Sequence, residues 1–480
     1  MLLALLLGCP PPAIADTDGT GTAADCVALS RYAVDADGDG YGDPDTLVLT
    51  CDAPPGYVAD ESDCNVTDPT SYPGAPDVCA TPGVDEDCAG GDDVPTAAAT
   101  TVEPVVQFES GYGSWGAVVL AVAGGGVLVS DPAPDDSDQG YVQRFGNDYA
   151  VNTTYEGGTE PGTFGALLAI GDVLPDGGDA VIVGDLDGGA GLGAVYVFDA
   201  SAAGSLTTGE ALYTVVPVDD HRWYGYAIDT GADVTGDGRT DLLVGFALTG
   251  LRVYADVAAA GDPATGFLID SDDRDPGRAR LVPDTDGDGI GELILGLDID
   301  GGGALALYAG PILADLRLPD DAHLYVDGDA PGGFGTDAVV PGDLDGDGSD
   351  DLVVGAPDAM GRAGTLTFIP GGTRGQVRAD SFPFVTGLVG NQLGRTLVST
   401  HWGSDGVDLG VGLTAVEDGW GVFVYTCMAG RTSMLGAEDG IVTEEEPIGW
   451  DVAPDGSGLY VVADERGARG LYVLPGPGSP

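Results

Sequence analysis

A strand, a carboxylate loop and a second strand recur from Val94 onward at a period of roughly 50 to 60 residues, and this repeat constrains the fold more than any other feature. The clearest copy runs from Gly333 to Pro357. It carries Phe334-Gly335, the apolar run Ala338-Val339-Val340, the acidic loop, the run Leu352-Val353-Val354 and then Gly355-Ala356-Pro357. Asp343, Asp345, Asp347 and Asp351 stand at positions one, three, five and nine of the loop. Short β-branched runs bounded by Gly and Pro predict strands. Gly346 and Gly348 free the backbone to curl until the carboxylates converge. Convergent hard oxygens suit calcium. Position twelve, where a helix-flanked calcium loop carries a bidentate Glu, is Val354, so ligation here closes within nine residues on a hairpin.

The turn glycines of the copies are Gly116, Gly165, Gly225, Gly277, Gly335, Gly394 and Gly449. A third, alternating strand follows in each, as in Gly193-Ala-Val-Tyr-Val-Phe198 and Gly364-Thr-Leu-Thr-Phe-Ile369, and a fourth, looser one precedes the next aromatic-Gly. The 82 glycines have no collagen period and fall between short apolar runs, so they read as turn chemistry for many strands. The expectation is an all-β chain: a seven-bladed β-propeller over residues 94–480, preceded by a small disulfide-rich calcium-binding module. Val102 to Phe108 is expected to supply the outer strand of the last blade and so tie the ends of the ring.

Three loops of the repeat region are complete enough to be candidate metal sites. They are Asp233, Asp237 and Asp241 with Thr235 between; Asp284, Asp286, Asp288 and Glu292; and Asp343, Asp345, Asp347 and Asp351. Single Asp-Gly turns are common in any hairpin, but three nine-residue loops at repeat spacing, each before a buried strand, point to cation binding. Asp172 to Asp179 is a degraded copy containing Leu174 and Pro175, and its metal binding stays open.

Phe334-Gly335 and Gly355-Ala356-Pro357 give the chain its resemblance to the FG-GAP repeat of the integrin alpha-chain propeller. Altered starts at Trp115-Gly116, Phe164-Gly165, Tyr224-Gly225 and Ile448-Gly449 extend it over nearly all of residues 102 to 476. The resemblance implies that the position-seven carbonyls of Arg239, Ile290 and Ser349 join the ligands, and that the propeller serves adhesion or recognition.

Between Cys26 and Asp93 the composition changes: Cys26, Cys51, Cys64, Cys79 and Cys88 lie among Asp and Pro. A disulfide framework is expected, since so small a module needs staples. Cys427 makes a sixth, and the pairing is open. Residues 35 to 43 form a further loop with Asp35, Asp37, Asp39 and Asp43. With Cys51, Pro55-Gly56-Tyr57-Val58, Asp63-Cys64-Asn65, Pro73-Gly74-Ala75 and Asp85-Glu86-Asp87-Cys88, this segment resembles the MopE-type metal-binding motif of bacterial surface proteins. That resemblance implies calcium held by Asp35, Asp37, Asp39, the Tyr41 carbonyl and Asp43, an extracellular setting and no catalysis. Its departures, Asn65-Val66 and Thr81-Pro82-Gly83, argue against a second ion near Asp63 and Asp68.

Residues 1–15 read as an export segment. Leu6-Leu7-Gly8-Cys9 resembles a lipobox, which implies lipidation at Cys9; cleavage after Ala13-Ile14-Ala15 is the competing reading. Residues 16–25 read as a flexible tether. The expected location is the cell surface, through a lipid on Cys9 if anchored, or outside the cell if not.

The formal net charge of −63, with 16 basic residues that are all Arg, disfavours nucleic acid and anionic membrane surfaces as partners. His221, His323 and His401 are the only histidines, and neither H-E-x-x-H nor G-x-S-x-G occurs. The expectation is a monomeric, non-enzymatic surface module with calcium as cofactor and an unidentified protein or glycan ligand. A hydrolytic propeller acting through an Asp pair is the alternative. A structural surface-coat spacer is a third reading.

Overall fold

The computed structural model describes residues 29–73, 88, 106–109, 118–122, 125–132, 139–158, 163–216, 227–246, 250–260, 265–270, 276–297, 302–328, 332–344, 348–387, 392–399, 409–416, 419–425, 440–442, 448–454, 458–465 and 468–475. The export segment with Cys9, the tether, Cys26, Cys79, Cys427, His221, His401, Asp345 and Asp347 lie outside the described residues. The chain divides into two compact units, Met1–Asp77 with Gly83–Asp93, and Val78–Pro82 with Val94–Pro480.

In the first unit Ser30–Val34 lies between Val48–Thr50 and Tyr57–Val58, antiparallel to both. Ala33 is the one apolar side chain fully buried there among the described residues, so the sheet has little core of its own. Covalent and ring contacts take its place: Cys64 is bonded to Cys88, Cys51 is also disulfide-bonded, and Tyr41 stacks on Tyr72 at 5.3 Å.

The second unit is a succession of mainly antiparallel sheets, seven among the described residues, and it forms a β-propeller. The second sheet shows the plan. Leu167–Gly171, Ala180–Asp185, Ala194–Asp199 and Tyr213–Val215 follow one another in chain order as spatial neighbours. The fifth, Ala338–Gly342, Asp351–Ala356, Thr365–Ile369 and Phe384–Thr386, repeats it. Second strands such as Ala180–Asp185, Leu242–Phe246 and Glu292–Leu297 are buried at every residue, which is why their sequences are unbroken apolar runs. The cores lie between consecutive sheets. One joins Leu128, Val142 and Tyr155 to Phe164, Val181 and Phe198; another joins Leu243, Leu251 and Ile269 to Leu293, Leu295 and Tyr308.

Two glycines of the repeat have a steric reason. Gly335 turns with φ +82° and donates its N–H to Gly355 O at 3.0 Å. A Cβ on Gly355 would stand 2.0 Å from the carbonyl oxygen of Gly394, the turn glycine of the next copy, so any side chain there would force the sheets apart.

The last sheet combines both ends of the unit. Ile448–Pro454, Gly458–Glu465 and Ala468–Pro475 are completed by Val106–Glu109, antiparallel to Ala468–Pro475, which is the closure expected of residues 102 to 108. A further device has no counterpart in the repeat pattern of the sequence. Gly204–Thr207, Leu316–Arg317 and Gly375–Arg378 each leave their own copy and pair in parallel with the outer strand of the preceding sheet, at Val151–Glu156, Phe267–Asp270 and Leu324–Asp327. These additions cover three outer edges that would otherwise be open to pairing and tie those three sheets to the copies that follow them. No helix among the described residues is long and apolar enough to cross a membrane.

Candidate metal centres

The acidic loops share one local design. The position-one carboxylate folds back over its own loop and accepts backbone N–H groups from positions four and six. Asp35 takes Gly38 N at 2.7 Å and Gly40 N at 3.2 Å. Asp233 takes Gly236 N and Gly238 N, both at 2.6 Å, and Asp284 takes Gly287 N at 2.7 Å and Gly289 N at 2.6 Å. Those six glycines all have φ between +76° and +96°, a conformation that aims successive N–H groups inward and that a side chain disfavours. The D-x-D-x-D-G spelling therefore specifies a backbone curl as well as a set of charges. Asp343 accepts from Gly348 N at 2.8 Å in the same way.

In the propeller loops the position-nine carboxylate is buried and pins the loop's start. Asp241 is fully buried, with Oδ2 accepting from Val234 N at 2.7 Å and Thr235 N at 2.8 Å, while the Thr235 hydroxyl donates to Oδ1. Glu292, also fully buried, accepts from Thr285 N at 2.9 Å through Oε2. Asp351 accepts from Leu344 N and Gly371 N, each at 2.8 Å. Each of these residues opens or directly precedes a buried second strand, so the hairpin itself carries the carboxylate inward.

Three groups of carboxylates converge, with one oxygen from each member within 4.8 Å of the others: Asp35, Asp37 and Asp39; Asp233, Asp237 and Asp241; Asp284, Asp286 and Glu292. At 4.8 Å and an effective dielectric near 20, each ionised pair repels by about 3.5 kcal/mol. The protonation equilibria register this crowding. Burial first, then the charges of Asp286 and Asp284, push Glu292 up to about 8 against the pull of Thr285 N–H. Burial likewise lifts Asp241 to about 6, with Asp233 adding to the effect. Asp284, although burial opposes its ionisation, is held below the usual carboxylate range by the N–H groups of Gly289, Gly287 and Asp286.

Several buried oxygens have no hydrogen-bond partner: both carboxylate oxygens of Asp37, Oδ2 of Asp39 and Oε1 of Glu292. Buried polar atoms are rarely left without one, and these are all hard oxygen donors at converging positions. The residues thus fit a hard divalent cation.

The remaining predicted ligands divide. Asp288 lies outside its converging group and accepts from Ile290 N at 2.8 Å. The Ile290 side chain packs toward Gly236 and Gly310. Arg239 returns along its own loop to pair with Asp237 at 3.3 Å. Tyr41 donates its N–H to Asp39 Oδ1 at 2.8 Å. Asp43 is also outside the converging group, and its Oδ1 caps a turn by accepting from Asp45 N at 2.8 Å. Ser349 lies close to Gly371 of the neighbouring turn. In the degraded copy Val173 and Leu174 are buried in the core while Asp172, Asp176 and Asp179 are exposed, so its carboxylates do not converge. His323 supports strand geometry, with Nδ1 accepting from Ala309 N at 3.2 Å.

Successive loops are also stitched to one another. Thr240 Oγ1 donates to Asp172 O at 2.8 Å, Gly291 N to Asp233 O at 2.8 Å and Gly372 N to Thr285 O at 2.9 Å. Arg374, which no motif singled out, reaches Asp286.

Comparison with known proteins agrees with this repeat geometry at its best-preserved copy. Residues 335–376 match the FG-GAP repeat family. The chain carries an FG-GAP repeat. In that FG-GAP segment the turn glycine Gly335, the position-nine Asp351 and the crossing glycine Gly355 fall at the places where the backbone contacts above require them. Comparison of the sequence with curated proteins gives no match. Among solved structures, the Dos1 propeller is similar at 13% identity and a TM-score of 0.41, covering 75% of this chain and 78% of its own. The β-propeller domain of Cps50 (Swd1) from Myceliophteria thermophila is similar at 12% identity and a TM-score of 0.45, covering 78% of this chain and 99% of its own.

Proposed function

We propose that the chain is an exported, calcium-stabilised FG-GAP propeller that acts as a non-enzymatic recognition module at the cell surface. The observation that carries the calcium reading is the set of buried, partnerless carboxylate oxygens in converging loops, above all Glu292 Oε1, which a bound cation would satisfy. Asp35, Asp37 and Asp39 in the first unit, and Asp233, Asp237, Asp241, Asp284, Asp286 and Glu292 in the propeller, would hold the ions. Because the propeller loops hydrogen-bond from sheet to sheet, cations there would rigidify a connected face and leave other loops to a protein or glycan ligand. The Cys64–Cys88 disulfide supports an oxidising, extracytoplasmic setting.

Calorimetric titration of chelated protein with calcium, followed by glycan and protein arrays probed with and without EDTA, tests this reading. Saturable calcium binding and calcium-dependent capture of a defined ligand class are expected. A chain that binds no calcium overturns the metal assignment, and turnover of a glycoside or ester substrate overturns the non-enzymatic one.

A further inference from the structure

Position nine behaves differently in the first unit. In the propeller loops that position is buried and closes the site, but Asp43 is half-exposed and its carboxylate is committed to Asp45 N. A different carboxylate is buried nearby. Asp63 is 4% exposed, its N–H donates to Gly42 O at 3.3 Å, and its Oδ1 accepts from Asn65 N at 2.8 Å. Its Oδ2 is buried with no partner. Asp39, Asp37 and Asp35 act on this carboxyl electrostatically; its oxygens stand outside the 4.8 Å group that those three form, so joining them takes a side-chain movement on binding. Both oxygens of Asp37 and Oδ2 of Asp39 are themselves buried and partnerless, so four unsatisfied carboxylate oxygens act on one another in this region.

We propose that Asp63 is the closing ligand of the first unit's cation site, which is thereby built from two segments, residues 35–39 and residue 63, and takes a hard divalent ion of the calcium type. This deepens the calcium reading above and rests on it. The placement has a covalent support: Cys64, the next residue, is bonded to Cys88, and the segment containing Asp63 is stitched to the loop through Gly42. A residue delivered from outside the loop makes the site depend on the fold of the whole module, whereas each propeller loop closes within its own hairpin. The earlier expectation of no second ion near Asp63 is compatible with this, since Asp63 joins the first site.

The test is calcium titration of the full chain by calorimetry, comparing wild type with Asp63→Asn, Asp43→Asn and Asp63→Glu. Asp63→Asn should weaken one class of site by about tenfold or more, Asp43→Asn should leave the isotherm unchanged, and Asp63→Glu should restore part of the affinity. Far- and near-ultraviolet circular dichroism in EDTA should be the same for all four, which separates ligand loss from misfolding. If Asp63→Asn binds as wild type does, or if Asp43→Asn loses the site instead, the proposal is overturned while the calcium reading stands. If wild type binds no calcium, both fall.

Discussion

The guanidinium of Arg374 lies 2.5 Å from Oδ2 of Asp286, a residue 88 positions earlier in the chain. The pair joins the third-strand turn of one copy to the acidic loop of the preceding copy, and it places a fixed positive charge on a carboxylate that converges with Asp284 and Glu292. Arg374 is half-exposed, so solvent screens the pair and its stabilising effect is small.

Arg374→Ala should therefore destabilise the calcium-free protein by only about 0.2 to 1 kcal/mol. The same change should tighten calcium binding at the loop of residues 284–292, because a repelling charge is removed. Urea melts in EDTA and calcium titrations read the two effects. No change in either would show that the contact is electrostatically inert.

Calcium should stabilise the chain by about 2.7 kcal/mol per site at a free concentration one hundred times the dissociation constant. Thorough chelation should lower the melting temperature accordingly. Glu292→Gln replaces a carboxyl that burial pushes up to about 8 and whose Oε1 has no partner, so in EDTA it should be neutral or stabilising, and in calcium it should lose one site's share of the gain. An unchanged melt on chelation would dispose of structural calcium.

Asp337 is fully buried and bridges neighbouring sheets. Its carboxylate takes Arg280 Nε at 3.1 Å and Nη2 at 3.2 Å, Arg278 Nη1 at 3.3 Å, and the backbone N–H groups of Ala338 and Leu397. Asp337→Ala strands Arg280 and two N–H donors. A loss of about 3 kcal/mol is expected, at the low end for broken buried pairs because Arg280 keeps some contact with water. Arg278→Ala, at a more exposed guanidinium, should cost under about 1 kcal/mol. Equal losses in the two variants would refute this ordering.

Burial raises Asp185 above the ordinary carboxylate range despite N–H donors from Thr163, Asp187 and Gly188. A folded-state value above the unfolded one means that the group's contribution is fully present below the unfolded value and is lost as pH rises through the folded one. Asp185→Asn should remove this slope. Wild-type stability minus that of the variant should decline as pH is raised from about 4 toward neutrality. A difference that grows with pH would mean the N–H donors win.

Much of this was legible because the repeat writes its chemistry locally. The runs around Val181, Leu243 and Leu293 are unbroken and apolar, and the loops between strands carry their carboxylates at fixed spacing. What escaped was non-local. Gly204–Thr207 and Leu316–Arg317 are too short and too polar to show a strand period, and they pair only because a neighbouring outer edge is there to receive them. Asp63 has the same spelling as any exposed Asp, and its burial depends on contacts to Gly42 and the Cys64 linkage. Arg374 and Asp337 likewise acquire meaning only when copies are set side by side.

The sheet built from both ends of the propeller unit has a consequence for how the chain is made. Among the described strands of that unit Val106–Glu109 is the first to leave the ribosome, yet the strand it pairs with, Ala468–Pro475, is the last of them to emerge. Its backbone groups must wait until all the intervening sheets have been made, and this sheet cannot be completed on a nascent chain that stops short of Pro475.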